Sequence, residues 1–152
     1  MASTLPTGKD RVPRHTADDV NERIRRETAD RIRALADRPQ EIPRRLKELD
    51  AEWDIERAIE ANASTLALLG VGLGYYVHRK WLALPGLVTL FLLQHAVQGW
   101  CPPVPILRRL GFRTVYEIEQ ERQALKALRG DFAEVTQSGD RAAAAIAAAR
   151  LA

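Results

Sequence analysis

The stretch ANASTLALLGVGLGYYVHRKWLALPGLVTLFLLQHAVQGWCPPVPIL, Ala61–Leu107, contains no Asp or Glu, and its only formal charges are Arg79 and Lys80, adjacent in the middle. Ala61–Val77 is 17 uncharged, mostly apolar residues. As a helix rising about 1.5 Å per residue it spans roughly 25 Å, close to the hydrocarbon core of a bilayer. Trp81–Leu107 is a second uncharged run, long enough to cross back. The pattern predicts two membrane crossings, about 58–77 and 82–101. They are joined by the short turn His78-Arg79-Lys80, which makes them antiparallel neighbours. Tyr75, Tyr76 and Trp81 cluster at one boundary and Trp100 stands at the other, where rings with an apolar body and a polar tip collect.

Working outward, all charges except Glu60, Arg79 and Lys80 fall in residues 1–57 or 108–152. The slightly negative mean hydropathy of −0.26 therefore averages two unlike phases. A net charge of +3 on 152 residues, with acids interleaved among the bases, provides no single-sign stripe, so no nucleic-acid partner is expected. A single cysteine, Cys101, excludes an intramolecular disulfide and cannot build a zinc site. The N-terminal segment has no apolar core behind its basic residues and does not read as a cleavable secretory signal.

The expected fold class is all-α: a two-helix transmembrane hairpin with amphipathic cytoplasmic helices on both sides. Residues 1–15, with Pro6, Gly8 and Pro13, read as a flexible leader. Residues 16–57 read as an N-terminal cytoplasmic helical arm. Thr16, whose hydroxyl can accept from free amides, with Asp18 and Asp19 suits the start of a helix over about 17–37. Val20, Ile24, Ile32 and Leu35 form its narrow apolar stripe. Pro43 suits the first turn of a second helix. With no breaker before Gly70, that helix is expected to run unbroken to Val77. Residues 58–107 form the hairpin, its second crossing bent or started at Pro85-Gly86 and ended by Pro102, Pro103 and Pro105. Residues 108–152 read as a C-terminal cytoplasmic helical arm. There Thr114 and Glu117 have capping-box spacing, Gly130 offers a stop, and an alanine-rich tail begins near Asp140.

Basic residues near the membrane edges set the threading. Arg44, Arg45, Lys47 and Arg57 precede the first crossing, and Arg108, Arg109, Arg113 and Arg122 follow the second, against only Arg79 and Lys80 in the turn. Both termini are thus expected on the cytoplasmic side of a multi-pass membrane protein.

Gly99-Trp100-Cys101-Pro102 followed by Leu110-Gly111-Phe112-Arg113-Thr114 resembles the G-x-C-P … L-G-x-x-T ending of the YgaP-like inner-membrane transmembrane domain family. The resemblance covers roughly residues 57–114, its motif positions being Gly99, Cys101, Pro102, Leu110, Gly111 and Thr114. It implies a small bacterial inner-membrane protein with two crossings. In some members the hairpin is joined to a rhodanese, a sulfurtransferase with a catalytic cysteine. The arms here are too short for that fold, and the only cysteine lies at the membrane edge.

Ala63, Ala67, Gly70 and Gly74 fall at i, i+4, i+7 and i+11, a seam of small side chains suited to close helix contact in lipid. The seam can meet the second crossing of the same chain or another protomer of a homo-oligomer. Gln94, His95 and Gln98 are polar groups within the second crossing and need partners or water. His95 can make an interhelical hydrogen bond or handle protons in transport. Cys101 beside Arg108 and Arg109 can be a reactive thiol or a small apolar residue at a helix end.

No catalytic, cofactor-binding or metal-ligating set is visible: there is no nucleophilic triad, ligand spacing, phosphate loop or carboxylate pair. The expectation is a non-enzymatic membrane protein without cofactor. Its partners are the lipid bilayer and, through the apolar stripes of its arms, a cytoplasmic protein. The competing expectation is an oligomeric small-solute transporter or channel linked to sulfur metabolism.

Overall fold

Helix is the only regular structure among the described residues, 7–137 and 139–150, of the computed structural model. In chain order the helices are α1 (Asp18–Ala36), α2 (Ile42–Ala51), α3 (Ile55–Tyr76), α4 (Ala83–Gln98), α5 (Val104–Arg109), α6 (Val115–Arg129), α7 (Ala133–Gln137) and α8 (Arg141–Arg150). They gather into two compact units. One joins residues 7–23 to Trp53–Val115, and the other joins Ile24–Glu52 to residues 116–150.

In the first unit, α3 begins where Asp54, in extended backbone, accepts a hydrogen bond from the Arg57 amide at 2.7 Å. That cap corrects the expectation of one helix from Pro43 to Val77. The chain leaves helix after Ala51 because Asp54 offers the next turn an N-cap, a sequence signal as strong as the proline at the start of α2. After α3 the chain turns through Arg79–Leu82, where His78 Nδ1 accepts from the Lys80 amide at 3.0 Å. It then enters α4, which packs on α3.

Helix α4 ends at Gly99, whose φ of +80° is a left-handed cap that residues with a Cβ adopt only at a cost. The prolines that follow were expected only to stop a helix. They also start one, since Pro103 is the N-cap of α5 and Pro105 lies in its first turn, where a missing N–H costs nothing. The core of this unit is Val12, Ile55, Ala58, Ile59, Cys101, Val104 and Leu107, with Phe91, Leu92 and Phe112 against it.

Val12 is 1% exposed, so the flexible leader expected over 1–15 does not describe residues 7–15. Residues 13–15 form a 3-10 turn, and the Thr16 hydroxyl donates back to the Val12 carbonyl at 2.9 Å. That hydroxyl was expected to accept from the first amides of α1, and instead it ties α1 to the segment before it. Nearby, the buried Arg108 donates to the Phe112 carbonyl at 3.1 Å and to Asn21 Oδ1 at 3.0 Å.

The second unit is built conventionally. Leu35, Ile42, Leu46, Leu49, Ile118 and Leu125 form its core, with Ile32 against it. Glu121 is fully buried there and is held by Arg45 Nε at 2.8 Å and by Arg31 Nη2 at 3.3 Å. Gly130, with φ of +88°, ends α6. The short α7 that follows had no signal strong enough to be read from sequence.

Candidate functional site

Along α3 and α4 many of the large apolar side chains point away from the protein, although Ile55, Ile59, Phe91 and Leu92 pack inward. Leu66, Leu68, Leu69 and Val71 on α3 and Leu87, Leu90, Leu93 and Val97 on α4 are all exposed, Leu68 by 74% and Leu93 by 63%. Among the described residues one helical stretch is long and apolar enough, by length and composition, to cross a membrane: the 3-10 turn Arg79–Leu82 taken together with α4, Arg79–Gln98, of mean hydropathy 1.3 and 6% buried. Glu60, Asn62, Ser64 and Thr65 make the opening half of α3 more polar.

What α3 buries toward α4 is glycine. A Cβ on Gly70 would stand 2.4 Å from Pro85 Cδ, and one on Gly74 would stand 2.5 Å from Leu82 Cδ2. Of the expected seam, Gly70 and Gly74 thus face the start of α4 in the same chain. Ala67 is half-buried, and Ala63 lines a groove of about 220 Å³ with Ile59, Leu66, Val88, Phe91 and Cys101. The helices are closest near the turn and leave this groove toward their other ends.

At those other ends lies a partly buried polar cluster. The Arg11 Nη1 donates to the Ala96 carbonyl at 2.9 Å, placing a cation on the C-terminal end of α4, where the helix dipole favours it. The Arg11 Nη2 stands 3.7 Å from Glu56 Oε1 in the first turn of α3, where an acid is likewise favoured. One side chain therefore spans the ends of both helices. Gly99 makes room for it, since a Cβ there would fall 2.5 Å from the Arg11 carbonyl carbon.

Arg11 Nε, Glu56 Oε2 and both ring nitrogens of His95 are buried without a hydrogen bond among the described residues. Each such atom costs about 1–3 kcal/mol if nothing satisfies it. His95, 5% exposed, thus does not make the interhelical hydrogen bond that was one of its expected roles. Burial pushes the Glu56 carboxyl above its ordinary value, reinforced by Asp54 and opposed by the Glu56 and Val115 amides and the Arg11 charge. The cluster offers a donor, an acceptor and an imidazole able to be either, the capacity to bind a small polar molecule or pass a proton.

The other expected residues scatter around this end. Gln94 is half-buried and Gln98 exposed, so their shared face is not a closed polar contact. Cys101 is buried in the apolar core beside Val12 and Val104. Pro102, Leu110 and Gly111 are exposed, Gly111 with φ of +93°, and Thr114 is buried where α6 begins. Sequence reasoning missed Arg11 and Glu56. The one trace of Arg11's position was Val12, a lone apolar residue in a polar segment. No group of three or more metal-ligating side chains occurs among the described residues. Comparison with protein-family models, with curated proteins and with solved structures finds no match to this chain.

Proposed function

We propose that the chain is a non-enzymatic integral membrane protein of the bacterial inner membrane, and a member of the YgaP-like family that its Gly99–Thr114 motif resembles. On this reading α3 and α4 cross the bilayer as an antiparallel hairpin, and the polar helices on either side form a cytoplasmic interaction module. The observation that supports it best is the outward face of α4. A helix so apolar and so little buried has an unfavourable surface in water and a favourable one in lipid. The glycine contacts with Pro85 and Leu82 suit a helix pair held by close packing where no hydrophobic force acts between helices. In the second unit a groove of about 380 Å³ between α1 and α6, lined by Ile24, Ile32, Glu117 and Ala124 among others, suits a protein partner.

Protease treatment of inverted membrane vesicles tests the reading. Both arms are expected to be digested and a fragment spanning about 58–101 protected. Complete digestion, or protection of the arms with cleavage at Arg79–Lys80, contradicts it.

One observation favours a second reading, a proton-coupled or small-solute transporter: the buried His95 imidazole, with neither nitrogen hydrogen-bonded among the described residues. Two crossings enclose no pore alone, so a monomeric mass in detergent rules it out.

A further inference from the structure

Helix α5 has two unlike faces. Val104, Leu107 and Arg108 point inward, the first two packing with Cys101 against Ile55, Ala58 and Ile59 in the first turns of α3. Ile106, Arg109 and Leu110, at i, i+3 and i+4, share the opposite side, and all three are exposed, Ile106 by 63% and Leu110 by 71%. The Arg109 guanidinium has no partner among the described residues, although its carbonyl accepts from Arg23 at 2.9 Å.

The position of this face in the fold gives it meaning. Its packing partners on α3 are interleaved with Glu56, Arg57 and Glu60, the level at which charge resumes after the uncharged run. Residues 99–115 carry Arg108, Arg109 and Arg113 and no acid. Two aliphatic side chains flanking an unpaired guanidinium, on a segment with no negative charge, complement an anionic phospholipid surface. The aliphatic groups reach the upper acyl region and the cation meets headgroup phosphate.

We infer that α5 is an interfacial helix, with Ile106 and Leu110 inserted in the cytoplasmic leaflet and Arg109 bound to anionic phospholipid headgroups. This rests on the membrane reading of α3 and α4 and extends it: the chain re-enters the leaflet surface after its second crossing instead of departing into water.

The test uses the full chain in a Cys101→Ala background, with a nitroxide attached at Leu90→Cys, Ile106→Cys, Leu110→Cys or Lys47→Cys, in zwitterionic or anionic phospholipid vesicles. Collision with oxygen reports lipid, and collision with a water-soluble nickel chelate reports water. Positions 106 and 110 are expected to be oxygen-accessible and nickel-protected, at shallower depth than 90. Arg109→Gln is expected to lower the lipid-to-water ratio of the label about fivefold in anionic vesicles only. Positions 106 and 110 as nickel-accessible as 47, with 90 in lipid, overturn the α5 inference and leave the crossing intact. Position 90 in water overturns both.

The unsubstituted chain gives an independent answer. Amide exchange over 104–111 in nanodiscs is expected to be slower with anionic than with zwitterionic lipid, and equal rates overturn the inference.

Discussion

The two units of this protein each bury an apolar core but turn different surfaces outward. Around α2 and α6, leucine and isoleucine are inside and most of the charge is outside; Glu121 and Lys126 are buried, and Glu121 is met by two arginines. Around α3 and α4, leucines face outward along most of both helices, while a histidine, an arginine and glycines lie inside. One chain with one set of propensities makes both arrangements, and on the membrane reading proposed above the difference lies in the medium each surface is suited to. Water favours the first. On that reading the second suits surroundings as apolar as the leucines, where close backbone packing holds the helices.

The sharpest way to break this contrast is to put the same charge on an exposed leucine in each unit. Leu90→Asp on α4 is expected to cost about 4 kcal/mol of membrane insertion, from placing an aspartate and losing a leucine near a helix centre. Leu128→Asp on α6, at a comparably exposed site, stays within about 0.5 kcal/mol in denaturation. An insertion assay on both variants reads this directly, and equal small effects would mean that both units face water.

Next in size is Glu121→Ala, expected to destabilise the second unit by about 3 kcal/mol because Arg31 and Arg45 lose a shared buried anion. Arg45 keeps Glu48 at 3.2 Å, which holds the loss toward the low end, and urea unfolding measures it. Gly70→Leu is expected to cost about 2 kcal/mol by forcing α3 off Pro85, seen as a lower midpoint in detergent unfolding.

The smallest expected effect is the pH dependence of Glu56. Its folded value lies above the ordinary 4.5, so the folded chain holds the proton more tightly than the unfolded one. The stability it contributes is present at low pH and is lost as pH rises through that window from about 4.5 upward. Relative to Glu56→Gln, the wild type should therefore fare worse at pH 7 than at pH 4 in paired unfolding curves, and parallel curves would contradict the burial of this carboxyl.

Much of this was legible in sequence because the signals were local. The uncharged run, the turn at His78–Lys80, Gly70 and Gly74 with helical spacing, and the stop at Gly130 are all read within a few residues. The break at Asp54 was also local, but it was overlooked in favour of the missing proline or glycine. Arg11 could not have been found that way. Its place is fixed by an α4 carbonyl 85 residues away and by the space that Gly99 leaves, relations that exist only once the helices are assembled. His95 was visible as a polar residue in an apolar run, yet its neighbours come from the segment that read as a leader. The exposed face of α5 was hidden by the prolines, which read as an ending and proved to be a beginning.

Lysing cells that express the full chain without detergent and sedimenting the lysate at high speed shows whether the first unit resides in lipid. The protein is expected in the pellet, retained through an alkaline carbonate wash and released by detergent. Protein left in the supernatant would contradict that placement.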